Sequence, residues 1–320
     1  MGTQQVVGVV TALPDLTSVA NGSVALIDLW LGGKDAATVR AYRRDLDVFA
    51  RFHGFASVPA ALDAFLLSAA GTAHAAALRW RDAGKTEGLA VATVNRRLAA
   101  LRSVAKLARQ VGRVAWVLDV PDLAAVKYRD TRGPGDSGVR ALVIAAAGRM
   151  DAKGARDRAV LRLLCDCALR RAEVVSLDVG HVDRDAGAIW VLGKKRSERE
   201  RITLPPQTRV ALDAWLTHRG DLMPDAPLFV TLDHAAHGAR LTGRSVARIV
   251  EGLSQSAGIG HVRPHGLRHA AITHALDVTN GDVRRVAAFS RHKKLDTLTV
   301  YDDARRDHAG DVSALVASSW

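Results

Sequence analysis

Between Lys127 and Gly138 the chain drops its apolar periodicity and turns into a polar stretch that holds Arg129, Arg132, Gly133, Pro134 and Gly135. Glycine and proline punctuate helices and strands alike, so this composition predicts a linker. At 320 residues the chain is longer than one hydrophobic core usually sustains, and the break falls where two cores would part. The expected organisation is a flexible arm over 1–23, a helical domain over 24–126, a linker over 127–138 and a second domain over 139–320. Hydrophobic residues at 48% and charged residues at 24% exclude wholesale disorder.

The formal net charge is +12, arginine far outnumbers lysine, and both halves share the excess. Such a surface attracts a polyanion, of which nucleic acid is the commonest; arginine-rich coding from a GC-rich genome is the competing account. Cys165 and Cys167 lie two apart in an expected buried helix and point to different sides. They fit neither a bridge nor a zinc pair and read as small apolar fillers in a reducing compartment. No apolar run approaches the roughly 20 residues of a membrane span, and the first residues lack the pattern of a secretory signal. A cytoplasmic location is expected.

The first half reads as helices. A short apolar one covers 24–30, and a second begins at Asp35 with Val39, Tyr42, Leu46 and Phe49 at helical spacing and Arg40, Arg43, Arg44 and Asp47 on other faces. Further helices are expected over 58–69 and 72–82. Gly84-Lys85-Thr86 lacks the glycine that a phosphate loop needs at position 79, which is Arg79, and lacks a preceding strand, so it reads as a helix end. Over 93–111 the stripe of Val94, Leu98, Leu101, Val104, Leu107 and Ala108 leaves Arg96, Arg97, Arg102, Lys106 and Arg109 on another side. Five basic residues without an acidic one suggest a face laid along DNA phosphates, against the simpler reading of a solvated helix.

In the second half helices are expected over 139–148 and 155–168, then strands over 188–192 and 201–204 joined by a basic turn. Leu228-Phe229-Val230 reads as a third short strand. Helices over 206–217, 243–257, 265–276, 282–288, 295–304 and 308–317 complete a mainly α fold with a small β-sheet, of the α+β class.

Four residues near the C-terminal end suggest phosphate chemistry: His265, Arg268, His292 and Tyr301. A guanidinium grips two phosphate oxygens, an imidazole moves a proton near neutral pH, and a phenol oxygen can attack phosphorus. Each alone is more often a packing or surface residue. Tyr42 on an apolar stripe and Tyr128 beside Lys127 and Arg129 are weaker nucleophile candidates. His269 and His274 read as packing or capping groups, and no acidic third ligand is in register with His265 and His269 for a metal. Further upstream, Arg170 and Glu173 are three apart, and by spacing alone a plain surface ion pair is the simpler reading.

Taken together, Arg170 with Glu173, a strand-turn-strand with Lys194 in its turn, His265-x-x-Arg268, His292 and Tyr301 nine residues later resemble the tyrosine recombinase, or phage integrase, family. The likeness spans 139–307, and the two helices at 38–52 and 93–112 resemble that family's helical DNA-clamping domain. The resemblance implies a site-specific DNA recombinase that cleaves and rejoins DNA through a 3′-phosphotyrosine intermediate. Tyr301 would be the nucleophile, and Arg170 and Arg268 would hold the nonbridging oxygens. His265 would assist proton transfer, His292 would bond the phosphate, and Lys194 or Lys195 would be the general acid. Glu173 would orient Arg170. Arg43, Arg44, Arg96, Arg97, Arg102, Lys106, Lys195 and Arg291 would contact DNA. Neither metal nor nucleotide cofactor is implied. The expected partner is double-stranded DNA, with a monomer in solution assembling as a homotetramer on two duplexes, and the segment 308–320 packing into a neighbouring subunit. Alternatives are relaxation of DNA in the manner of a type IB topoisomerase, or a non-cleaving architectural DNA-binding protein. Three positions depart from the family pattern. Ala168 and Arg291 stand where glycine is usual, the latter adding a phosphate contact or restricting the turn, and the lysine turn is about one residue longer.

Overall fold

The computed structural model describes residues 22–124, 133–193, 198–220, 222–292, 298 and 308–319. The chain divides into two compact units, Met1–Arg129 and Asp130–Trp320. Lys194, Lys195 and Tyr301 lie outside the described residues, as do the helix expected over 295–304 (apart from Leu298), the arm up to residue 21 and the basic tip of the strand turn. No helix among the described residues is long and apolar enough to cross a membrane.

The first unit holds α1 (Ser23–Leu31), α2 (Ala36–Phe52), α3 (Val58–Leu67), α4 (Ala70–Thr86) and α5 (Val91–Gln110). Starts are set by side chains that satisfy orphan N–H groups: Asp35 accepts from Ala37 and Thr38, and Ser57 from Ala60. The expected stripes are the buried ones. Leu46 and Phe49 of α2 meet Leu98, Leu101 and Val104 of α5 in one core, with Leu26, Leu62 and Phe65. Phe49 packs edge-on against Phe65 and Trp80 at centroid distances of 5.4 and 5.1 Å, and Tyr42 stacks on Trp30 at 5.0 Å. The helix expected to end near Gly84 instead runs to Thr86. Gly84 is buried inside α4, where an added Cβ would lie 3.2 Å from Val94, so this glycine serves close packing with α5.

The second unit holds α6 (Gly135–Ala147), α7 (Ala152–Asp166), α8 (Arg171–Val175), β1 (Val182–Asp183), β2 (Ala188–Leu192), β3 (Arg199–Thr203), α9 (Pro206–Arg219), α10 (Gly243–Ser256), α11 (Pro264–Val278), α12 (Val283–Ser290) and α13 (His308–Ala317). α6 begins at Gly135, inside the stretch read as a linker. Gly133 lies so close to α11 that a Cβ there would clash with the Gly266 carbonyl. α7 is the spine: Ala159, Val160, Leu161, Leu163 and Leu164 are buried, and Trp215 of α9 shares their core. The three strands form an antiparallel sheet in chain order, with Ile189 opposite Ile202 and Leu192 opposite Arg199.

The third strand is β1, not Leu228–Val230. That apolar triplet is buried, but it makes no ladder. Its backbone is satisfied piecemeal: Trp215 Nε1 donates to the Leu228 carbonyl at 2.8 Å, Arg156 Nη1 to the Val230 carbonyl at 3.2 Å, and the Leu241 N–H to the Phe229 carbonyl at 2.9 Å. Cys165 and Cys167 are buried and unbridged, and burial pushes both thiols up to about 12, which keeps them protonated and unreactive.

Candidate active site

α7 stops at Asp166, and the chain turns through Ala168, whose φ of +46° is left-handed. This turn delivers Arg170 to the start of α8. Glu173, three residues on, accepts the backbone N–H of Arg170 through Oε2 at 2.8 Å and its Nη1 through Oε1 at 2.6 Å. The pair that spacing alone marked as a surface contact is therefore a helix-capping clamp whose carboxylate is buried, at 3% side-chain exposure. Burial would raise the Glu173 carboxyl, but the Arg291 charge first, then the bonds and charge of Arg170, bring it below its ordinary value.

α11 carries His265 and Arg268 on its first turns. Arg268 is buried, and its guanidinium donates to the Ala168 and Ser290 carbonyls, tying the α7 turn to the end of α12. A small cluster of Ala168, Ile272, Leu276, Val286 and Leu298 packs behind this junction. His265 is exposed at the mouth of a cleft lined also by Arg170, Arg171, Arg263 and Arg268. Lost solvation, then the Arg268 and Arg170 charges, lowers its pKa.

α12 ends in a left-handed cap. Arg291 has φ +57°, and the N–H groups of Arg291 and His292 return to the Ala288 and Ala287 carbonyls at 3.3 and 3.1 Å, the pattern of a Schellman motif. His292 Nδ1 lies 2.8 Å from Ser290 Oγ. The Ser290 hydroxyl proton is directed to the Val286 carbonyl at 2.6 Å, so Oγ accepts from Nδ1–H, and a neutral His292 presents Nε2 as its lone-pair face. Burial first, then Arg268, Arg170 and Arg291, against the opposing Glu173, lowers His292 to about 4. Ser290 carried no signal in the sequence beyond its place two residues before His292.

The expectation that Arg291 contacts DNA is corrected. Its side chain is 3% exposed and turns inward, where it donates to the carbonyls of Cys167, Phe289 and Ala168 at 3.1, 3.1 and 3.0 Å and to Glu173 Oε2 at 3.0 Å. Its guanidinium faces these four acceptors and is not part of the cleft that Arg170, His265 and Arg268 line.

The basic face of α5 is less uniform than its sequence. Arg96 pairs with Asp45, whose side chain is 2% exposed, and Arg102 pairs with Asp122. Arg97 is half-buried with its guanidinium 5.7 Å from the Trp80 ring centroid. The missing acids thus come from α2 and from the segment after α5. Lys106 and Arg109, and Arg43 and Arg44 on α2, remain exposed.

The family model described as the phage integrase family matches residues 138–308. A tyrosine recombinase of Synechococcus elongatus is 40% identical over 284 residues, 88% of each chain, and one of Synechocystis is 39% identical over 283 residues, 88% of this chain and 90% of its own. Tyrosine recombinase XerC of Corynebacterium glutamicum is 30% identical over 84% of this chain and 82% of its own. Among solved structures, the Tn1549 transposon integrase in complex with circular intermediate DNA aligns with a TM-score of 0.65 at 16% identity, over 88% of this chain and 94% of that one. A lambda integrase dimer bound to a core site aligns at 0.60 and 14%, over 91% and 79%. The mainly helical fold with its small sheet is shared with these structures. With the family model covering more than half of its length and relatives 39% and 40% identical over 88% of it, this chain belongs to the phage integrase family and is a tyrosine recombinase.

Proposed function

We propose that the chain binds double-stranded DNA and exchanges strands at a specific site, with Tyr301 as nucleophile. The observation that carries this reading is the convergence of Arg170, Arg268 and His292, from segments about a hundred residues apart, where the Ala168 turn meets the end of α12. Phosphoryl transfer is stabilised by fixed cations at the nonbridging oxygens, where negative charge builds in the transition state. Arg170, oriented by Glu173, and Arg268, locked on two carbonyls, supply that charge from fixed positions.

The Tyr301 phenol oxygen attacks the scissile phosphorus as its proton passes to a base, with His265 as the candidate for that transfer. The bond to the 5′ oxygen breaks, and that oxygen takes a proton from Lys194 or Lys195, leaving a 3′-phosphotyrosine. Attack by another strand's 5′ hydroxyl reverses the step and rejoins DNA, so the bond energy is conserved. Bound phosphate raises the pKa of His292, which then donates Nε2–H to an oxygen. Arg43, Arg44, Lys106 and Arg109 are exposed to meet the DNA backbone, and four copies around two duplexes complete the exchange.

The test uses DNA flanking the chain's own gene to map covalent cleavage, then a suicide duplex nicked beside the mapped site. The wild-type chain is expected to trap a covalent adduct that Tyr301→Phe cannot form, while both bind the duplex. An adduct that persists in Tyr301→Phe would overturn the assignment.

A further inference from the structure

The buried Arg291 sits where two features meet. It is a bulky residue in the left-handed conformation, which L side chains other than asparagine and aspartate seldom adopt, and both of its terminal nitrogens bond inward. It spans the turn after α7 by bonding the Cys167 and Ala168 carbonyls, and it reaches Glu173 on the oxygen that also caps the Arg170 N–H. The Arg291 carbonyl in turn accepts from Arg170 Nη2 at 3.5 Å. Arg170 is therefore held from two directions, by Glu173 in its own helix and by the main chain of Arg291.

Charge decides what this arrangement does. A buried carboxylate facing Arg170 alone would form a neutral pair, and the guanidinium meant for the phosphate would be drawn into it. Arg291 adds a second cation on the far oxygen. The trio of Arg170, Glu173 and Arg291 then keeps one net positive charge, and the exposed member of the trio is Arg170, at 28% side-chain exposure against 3% for the others.

The geometry points to Arg291 as a positioning residue for strand cleavage: it holds the Glu173 carboxylate and shares its charge, so that Arg170 faces the phosphate with its own charge uncancelled. This rests on the reading of Arg170 as a phosphate-gripping group. Arg291 itself touches no DNA.

The experiment compares Arg291→Gly, Arg291→Lys, Glu173→Gln and the Arg291→Gly/Glu173→Gln double variant. Glycine accepts the left-handed turn while deleting the cation; lysine keeps the cation but cannot bond the carbonyls and Glu173 at once. Two quantities are measured: the single-turnover rate of adduct formation on the mapped suicide duplex at saturating DNA, and the Kd of each variant in a Tyr301→Phe background. Arg291→Gly is expected to slow the adduct about 10- to 100-fold, the usual scale for groups that orient a site residue, with Kd little changed. Arg291→Lys recovers part of the rate, and the double variant loses no more than the worse single one, because both act through one carboxylate. A wild-type rate in Arg291→Gly, a loss lying wholly in Kd, or losses that multiply in the double variant overturns the proposal. If thermal unfolding shows Arg291→Gly unfolded, Arg291→Lys with and without Glu173→Gln carries the same comparison. A wild-type adduct rate in Arg170→Ala overturns the phosphate-grip reading and this proposal together, whereas a slowed Arg170→Ala with a wild-type rate in Arg291→Gly overturns this proposal alone.

Discussion

Protonation of His292 offers a direct measure of the field inside the site. An unfolded chain holds this imidazole at 6.5, while in the folded chain burial, followed by Arg268, Arg170 and Arg291, brings it to about 4. The folded state thus resists the charged form. Above 6.5 both states are neutral and the group has no effect; as pH falls from 6.5 toward 4 the unfolded chain takes up a proton that the folded chain refuses, and stability is lost across that window. At about 1.4 kcal/mol for each unit of pKa, the loss approaches 3 kcal/mol near pH 4, trimmed by the partial exposure of the ring. Urea unfolding of the wild-type chain and of His292→Gln at pH 7.5, 6.5, 5.5 and 4.5 isolates the contribution. His53, His181 and His265, whose pKa values are also lowered by burial first, titrate in both proteins and cancel in the difference. His292→Gln should lose less stability than wild type on acidification, by about 2 kcal/mol at pH 4.5. Parallel loss in the two proteins, or an NMR titration of His292 at 6.5 or above in the DNA-free chain, would refute a neutral, charge-crowded histidine.

Arg96→Ala should destabilise the first unit by about 3 kcal/mol, because it strands the Asp45 carboxylate in the core; adding Asp45→Asn should recover part of the loss, read as urea midpoints. Exposed Lys106 and Arg109 should behave oppositely: Ala at either position leaves the thermal midpoint in place and lowers the slope of log Kd against log salt for duplex DNA by about one. Trp215→Ala removes a buried ring and leaves the Leu228 carbonyl without its donor, so a loss of about 3–5 kcal/mol is expected in the second unit by denaturant unfolding.

Local spacing made much of the fold and the frame of the site readable. The stripes of α2 and α5, the hairpin of β2 and β3, and the three-residue offsets of Arg170 to Glu173 and His265 to Arg268 are short-range patterns with short-range causes. What escaped depends on partners far along the chain. The triplet at Leu228 has the composition of a strand, but side-chain donors from Trp215 and Arg156 take two of its three carbonyls and no ladder forms. The face of α5 lacks acids in sequence, yet Asp45 and Asp122 reach it in space. Arg291 looked like a surface cation because nothing in its neighbours announces a carboxylate 118 positions earlier.

The clasp that Arg268 makes between the Ala168 and Ser290 carbonyls, 100 residues back and 22 residues on, has a consequence during synthesis. The Ala168 turn leaves the ribosome 100 residues before Arg268, and Ser290 follows another 22 residues on. A nascent chain halted before Ser290 carries arginines, histidine and glutamate without the clasp that sets their orientation. A fragment released before Ser290 therefore holds no assembled grip on a phosphodiester.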